Sequence, residues 1–228
     1  MRHVVFYSEA PILFLIKLSW DHVESRRNEL GTGDLCLRVL DLGCGNGRDL
    51  ASWGVTASDI VIGLDIDGKS LAIAKTRFPN RTYLQGVGEN LPFLSESFDF
   101  VISEVALPYM NIQKTLAEIH RILVPGGSLV LSLHPARFTL AELFHNAAPR
   151  PVPTIFRLYV LANGILFHWT GRTLSFLKRR TESFQTERGM KTALHRSGFD
   201  SIFFRHTNRS LGQTFTAEAK KPKGYRSV

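Results

Sequence analysis

Three glycines at alternate positions, Gly43, Gly45 and Gly47, interrupt an apolar run in the stretch "VLDLGCGNGRDL" (39–50). A strand ending in such a turn presents unpaired amides and lets a ligand come close to the backbone. Several ligand classes use this device. A phosphate-cradling loop needs G-x-x-x-x-G-K-[ST], and no Lys-Ser or Lys-Thr stands at the required distance after Gly43. A dinucleotide fingerprint, G-x-G-x-x-G, wants its third glycine where this chain has Arg48, which weakens that reading. Asp65 lies 22 residues after Gly43 and ends a second apolar run, "DIVIGLDID" (59–67). A carboxylate there can accept hydrogen bonds from both ribose hydroxyls of an adenosine ligand. The bland alternatives for Asp65 are a helix N-cap or a solvated loop acid. Asp67, directly before "GKSLAIAK", is the better N-cap candidate.

The elements that must position these residues follow from periodicity. "CLRVLDLG" (36–43), "DIVIGLDID" (59–67), "RTYLQG" (81–86), a segment within "SFDFVISEVAL" (97–107) and "SLVLSLH" (128–134) read as strands with little polar alternation. "RDLASWG" (48–54), "GKSLAIAKTRF" (68–78) and "IQKTLAEIHRILVPGG" (112–127) read as helices between them, the last with Leu116, Ile119, His120 and Leu123 on one face and a Pro-Gly-Gly stop. Such alternation predicts an α/β fold, Rossmann-like, around a mostly parallel sheet covered on both faces. "TERGMKTALHRSGF" (186–199) is a further helix, and "DSIFFRHT" and "QTFTAEAK" form a C-terminal antiparallel hairpin, which makes seven strands. Residues 135–185 are not needed by the repeating pattern and form an insertion after the fifth strand.

The 228 residues suit one well-cored domain, divided into an N-terminal helical cap (1–35), a core (36–134), an insertion (135–185) and a C-terminal helix with hairpin (186–228). Cys36 and Cys44 are too few for a disulfide framework or a four-ligand metal site, which predicts a reduced, cytoplasmic protein without metal. The apolar patch Ile12–Ile16 is broken by Lys17 and is far short of a bilayer span, so an amphipathic helix is expected there. Charge is uneven. Residues 1–135 carry 12 Lys and Arg against 15 Asp and Glu, whereas 136–228 carry 16 against 5. The basic surface belongs to the C-terminal part.

"VLDLGCGNGRDL", "GLDID", "GENLPF" with "SFDFVIS", and "EIHRILVPGGSLVLS" occur in this order. Together they resemble the class I S-adenosylmethionine-dependent methyltransferases, near the group acting on ubiquinone, menaquinone and other small molecules. The resemblance covers 38–134 and, more weakly, 186–220. It implies S-adenosyl-L-methionine as cofactor. Asp41 and the backbone of Gly43, Cys44 and Gly45 would hold its methionine end, Asp65 its ribose, and Ile66 would pack on adenine. Gly88 and Glu89 would lie along the adenine edge, and Ser103 and Glu104 near the sulfonium. Two departures stand out. Where the family often has an acid that binds the adenine amino group, this chain has Val87 and Gly88, and a missing hydrogen bond costs about 0.5–1.5 kcal/mol. A Leu-His-His segment of relatives is Leu107-Pro108-Tyr109 here.

Methyl transfer from a sulfonium is an in-line displacement, so positioning dominates and a base is needed only where the acceptor loses a proton. Methyltransferases of exocyclic base amines often carry Asn/Asp-Pro-Pro-Tyr/Phe where this chain has "EVAL" (104–107), which counts against that acceptor. His134, ending the fifth strand at the sheet's carboxyl edge, is the general-base candidate; a histidine stabilising the Pro135 bend is the equal alternative. Tyr109 either lines the acceptor pocket or packs as an ordinary aromatic, and Glu104 either faces the sulfonium or caps a helix. The insertion should carry specificity. Its segment "TIFRLYVLANGILFHWTGRTLSFLKRR" is apolar on nearly every helical face, with Arg157, Arg172 and 178–180 around it. A lid over the site is one reading. A lid meeting a lipophilic substrate, or a membrane surface contacted through 155–180, is the sharper one. The competing functions are a small-molecule methyltransferase with a lipophilic or anionic acceptor, an RNA methyltransferase using the basic C-terminal part, and a non-catalytic S-adenosylmethionine-binding module. No RNA-binding module is recognisable, so nucleic acid is the weaker partner.

Overall fold

The computed structural model describes residues 36–47, 55–133, 151–174, 183–209 and 212–224. The predicted N-terminal cap, the helix over 48–54, His134 and the remaining parts of the insertion (135–150 and 175–182) lie outside the described residues. The elements are β1 (Arg38–Leu42), β2 (Ile60–Asp65), α1 (Gly68–Arg77), β3 (Thr82–Gln85), β4 (Phe98–Glu104), a short 3-10 turn (Leu107–Tyr109), α2 (Ile112–Ile122), β5 (Leu123–Leu133), α3 (Pro151–Thr170), α4 (Glu187–Arg196), β6 (Asp200–Arg209) and β7 (Gly212–Lys220). They build one seven-stranded sheet in the order β3-β2-β1-β4-β5-β7-β6. The first five strands are parallel. β7 runs antiparallel to both β5 and β6 and lies between them. Chain order reverses between β1 and β4, and at such a switch point the carboxyl ends of the strands open a crevice for ligands.

Burial explains why these runs became strands. In β1, Val39, Leu40 and Leu42 are fully buried, and so are Phe100, Val101 and Ile102 in β4. Strands covered on both faces lose polar alternation, as the sequence shows. One core cluster joins Leu40, Val101, Leu116, Ile119 and Leu129 to Met190 and Leu194 of α4; a second, with Val39, Val61 and Ile102, fills the other face. At the end of the sheet away from the crevice, Asp99 accepts from the Arg38 amide and, bidentately, from its guanidinium at 2.9 and 3.1 Å, which pins β1 to β4 in register.

Helix starts follow the local rules. Asp67 caps α1, its carboxylate accepting from the Lys69 amide and the Ser70 hydroxyl; those bonds hold its carboxyl below the usual range. Asn111 caps α2 and Thr186 caps α4 in the same way. Gly198, at φ +88°, closes α4, with the Phe199 amide donating to the Leu194 carbonyl.

One boundary differs from the periodicity. The sequence carries the helix in 112–127 through Leu123 to its Pro-Gly-Gly stop, but α2 ends at Ile122, and Leu123 already pairs with Phe98 as the first residue of β5. Pro125 explains this, since a proline disfavours helical backbone at the preceding residue and donates no hydrogen bond. The segment before Ser128 is instead stitched to the far end of β7. The Gly126 amide donates to the Lys221 carbonyl, the Lys221 amide to Gly127, and Lys221 Nζ to the Leu123 carbonyl.

α3 is the main described element of the insertion. Val160, Asn163, Gly164 and Phe167 form its buried face, seated on α4 and on Phe184. The approach is close enough to require glycine twice. A Cβ on Gly164 would lie 2.2 Å from the Phe184 ring, and one on Gly189 would lie 2.4 Å from the Phe167 carbonyl oxygen. Asn163 pins the following segment, its Oδ1 accepting from the Leu174 amide at 2.7 Å. Replacing Gly189 by Ala should therefore cost stability, by about 1–3 kcal/mol of overpacking, less the roughly 1 kcal/mol that alanine gains in a helix. Hydrogen exchange should show protection lost from α3 while β1, β4 and β5 keep theirs.

Candidate active site

The crevice at the switch point is a cavity of about 770 Å³ lined by Gly43, Leu64, Asp65, Ile66, Gly86, Val87, Gly88, Glu89, Ala106, Tyr109, Met110 and Asn111. Its floor comes from two turns that leave neighbouring strands. Gly43, at φ +79°, turns away from β1, and an added Cβ would lie 2.1 Å from that of Ala106. Ala106 is brought there by Val105, which holds φ +55° directly after β4 and donates its amide to the Ser132 carbonyl. A β-branched residue in that region carries strain of order 1–3 kcal/mol, here at the edge of the cavity.

The loop after β1 is fastened to the end of β2. The amides of Gly43 and Cys44 both donate to the Leu64 carbonyl, at 2.7 and 3.2 Å. The Gly45 amide donates to Asp65 Oδ2 and the Asp67 amide to Asp65 Oδ1, each at 2.8 Å. Two amides thus fix the orientation of the Asp65 carboxylate, and each oxygen retains a further lone pair. Gly45, at φ +51°, is unlike Gly43, because a Cβ there would meet nothing within 4 Å. Its conformation needs glycine, but the space beside it is open. Asp41 is buried in β1, and Cys44 is buried with its sulfur packed towards Gly63 of β2. Burial pushes the Cys44 thiol up, and the nearby carboxylates of Asp41 and Asp65 add to this, so it stays protonated and unreactive.

The opposite lip is the loop between β3 and β4, clamped to α2. Glu89 Oε1 accepts from the Asn111 amide at 2.7 Å, and Glu118 Oε2 accepts from the Leu91 amide at 2.8 Å. Arg121 pairs with Glu118 at 2.7 Å and donates to the carbonyls of Phe93 and Leu91. The Arg121 hydrogen bond, with help from the Leu91 amide, holds the Glu118 carboxyl below its usual range. Gly88 is a packing glycine, since a Cβ would lie 2.6 Å from Met110 Sδ. Val87 lines the wall beside it.

Of the residues singled out from the sequence, Gly43, Asp65, Ile66, Gly88, Glu89 and Tyr109 line the cavity together. Ile66 is 68% exposed and Tyr109 60% exposed, both as parts of this wall. Asp41, Cys44, Gly45, Ser103 and Glu104 lie behind or beside the lining. Ser103 is fully buried in β4, and Glu104 ends that strand half-buried. No described residue of α3 lines the cavity; the insertion instead meets α2 at Gln113, which lies two residues after the lining residue Asn111, donates to the Gly171 carbonyl and accepts from Thr173 Oγ1, both at 3.4 Å. Ala106, Met110 and Asn111 were missed by sequence reasoning. Asn111 carried a readable signal as the N-cap of α2, whereas nothing local marks Ala106.

The Methyltransferase domain family profile matches residues 40–131. A demethylmenaquinone methyltransferase of Lactococcus lactis is 30% identical over 207 residues, covering 84% of this chain and 77% of the relative. An uncharacterized methyltransferase of Synechocystis is 40% identical over 118 residues, 47% of this chain, and the match spans only 54% of that protein. Among solved structures, a S-adenosylmethionine-dependent methyltransferase of Methanosarcina mazei shares the fold at TM-score 0.57 and 21% identity, covering 86% of this chain and 96% of its own.

Two outcomes follow from this geometry. Gly43→Ala should lose about 2–5 kcal/mol, from the left-handed backbone and the Ala106 clash together. Gly45→Ala should lose only the backbone share, about 1–2 kcal/mol. Adding Ala106→Gly should restore the steric part in the first variant, as read from urea unfolding midpoints. Because the Glu118 carboxyl is held low in the folded state, its contribution is complete above the ordinary Glu value and is lost as pH falls through the folded one. The advantage of wild type over Glu118→Gln should therefore shrink as the solution is acidified below about pH 4.3.

Proposed function

Because the chain belongs to the class I S-adenosylmethionine-dependent methyltransferases, with S-adenosylmethionine as its cofactor, we propose that it methylates a small lipophilic acceptor. The residues present fit that cofactor. An orientated carboxylate, Asp65, stands beside an exposed aliphatic side chain, Ile66, on the wall of a cavity large enough for a nucleoside. A ribose offers hydroxyl donors to the former, and an adenine offers apolar faces to the latter. The amides of Gly43, Cys44 and Gly45 already donate within the protein, so the ammonium of a methionine end is matched by their carbonyl oxygens and by Asp41. When bound, S-adenosylmethionine supplies an electrophilic methyl group on a sulfonium sulfur.

The observation that carries the acceptor class is the character of the lining after β4. Ala106, Tyr109 and Met110 are apolar in body, and among the described residues the lining holds two carboxylates and no cation. An anionic acceptor or an RNA phosphate would meet carboxylates there. A neutral lipophilic one would meet the ring of Tyr109 and the thioether of Met110. The Lactococcus relative, aligned over most of this chain, is named for a demethylmenaquinone acceptor, which supports the same class. Tyr109 orients the acceptor through its ring, and His134 takes a proton where the acceptor must lose one. Glu104 adds negative charge near the sulfonium.

Calorimetric titration should show S-adenosylmethionine or its homocysteine product binding to wild type. Asp65→Ala should weaken this by roughly a hundredfold, the loss of two charge-assisted hydrogen bonds. Absence of binding to wild type would reject the reading. With extracted quinones and other apolar acceptors, Tyr109→Ala should raise KM while Tyr109→Phe does not. His134→Ala should lower turnover and leave cofactor affinity unchanged.

A further inference from the structure

α3 is apolar on two sides, and among the described residues only one is covered. Its inner side is seated on α4. On its outer side Leu158, Ile165 and Trp169 are 62%, 56% and 62% exposed, and Ala162 is exposed between them. Their spacing places them in a single stripe along the helix. No acid occurs anywhere in 151–174, and in 183–199 the single acid is Glu187, which His206 engages. Cations gather at the end of the stripe. The Arg188 guanidinium lies over the Trp169 ring, 4.4 Å from its centroid. Arg172 and Lys191 are exposed, and Arg196, also exposed, donates to the Thr170 carbonyl where the helix ends.

We propose that this face of α3 docks on the surface of an anionic lipid bilayer, with the aliphatic and indole side chains at the level of the headgroups and the arginines on their phosphates. Among the described residues no helix is long and apolar enough to cross a membrane, so the contact is one of lying on the surface. An apolar stripe with a cationic end matches that surface in both respects. It matches a second copy of this chain poorly, because no acid in 151–174 could meet the cationic end of a partner's α3. It also matches RNA poorly, since the stripe itself is apolar. The face is joined to the site: α3 is followed directly by Gly171, whose carbonyl accepts from Gln113, two residues after the cavity-lining Asn111. Docking would therefore set the cavity close to the lipid. This deepens the reading of a lipophilic acceptor by naming the phase from which the acceptor is drawn. It is tested without acceptor or cofactor, so the two can fail separately.

The test is flotation of the full chain with phosphatidylcholine vesicles, with and without a quarter of phosphatidylglycerol, at low and high salt. Wild type should float with the anionic vesicles and be released by salt. Ile165→Glu should reduce the bound fraction roughly tenfold or more, and Arg188→Glu should do the same, with melting temperature and S-adenosylmethionine binding unchanged. In a Trp20→Phe/Trp53→Phe background, Trp169 emission should shift to the blue on anionic vesicles. Failure of wild type to float overturns the proposal, as does flotation undiminished in both variants. A wild-type dimer that Ile165→Glu dissociates would assign the face to a second copy. Salt-sensitive binding of RNA without binding of vesicles would assign it to nucleic acid.

Discussion

Between the turn that leaves β1 and the turn that leaves β4 there is no room for a single methyl group. Parallel pairing sets Asp41 beside Ile102, so the two strands finish side by side and both chains must leave over the same edge. One does so through Gly43, whose missing Cβ is the space that Ala106 occupies; the other does so through Val105, in a backbone conformation that its side chain disfavours. Everything at the site inherits this contact. Because Gly43 turns where it does, its amide and that of Cys44 reach the Leu64 carbonyl, and the next amide reaches Asp65. Because Val105 turns where it does, Tyr109 and Met110 come to the cavity wall. Strain at a ligand site is tolerated where surrounding ladders over-determine the chain, and here five parallel strands do so.

The strands of the core were legible because each is a short apolar run bounded by turn residues, and because a sheet covered on both faces erases alternation. The capping residue Asp67 was legible because capping is local chemistry. What stayed hidden was set by distance. Ala106 bears no functional group, and its importance lies in a contact with a residue 63 positions earlier. Glu89 was placed at the site from the family pattern, but its hydrogen bond to the Asn111 amide could not be read from either segment alone. The helix boundary was misplaced for a related reason. Periodicity carried Leu123 into a helix, while pairing with Phe98 and the stitching of 126–127 to Lys221 made it a strand.

The insertion shows the same division between local and distant causes. Its apolar composition on every face was plain, and composition alone did not say which side would be covered. Gly164 and Gly189 decide it, the first leaving room for the Phe184 ring and the second letting α4 come against the Phe167 carbonyl. The covered side became the seat on α4. The other side kept its leucine, isoleucine and tryptophan outward, near the surplus of basic residues that the C-terminal part carries.

The place of β7 bears on how the molecule is made. This strand follows every other in the chain, yet it is interior to the sheet, filling the gap between β5 and β6. Until it has been synthesised, the buried residues from Ser128 to Leu133 stand along an open edge with half of their ladder unmade. The contacts that complete the sheet are thus among the most distant in sequence, which slows folding and leaves an adhesive edge available to other chains meanwhile. A nascent chain of this protein should depend on shielding by the ribosome or a chaperone at that stage, and its solubility on how fast its last strand arrives.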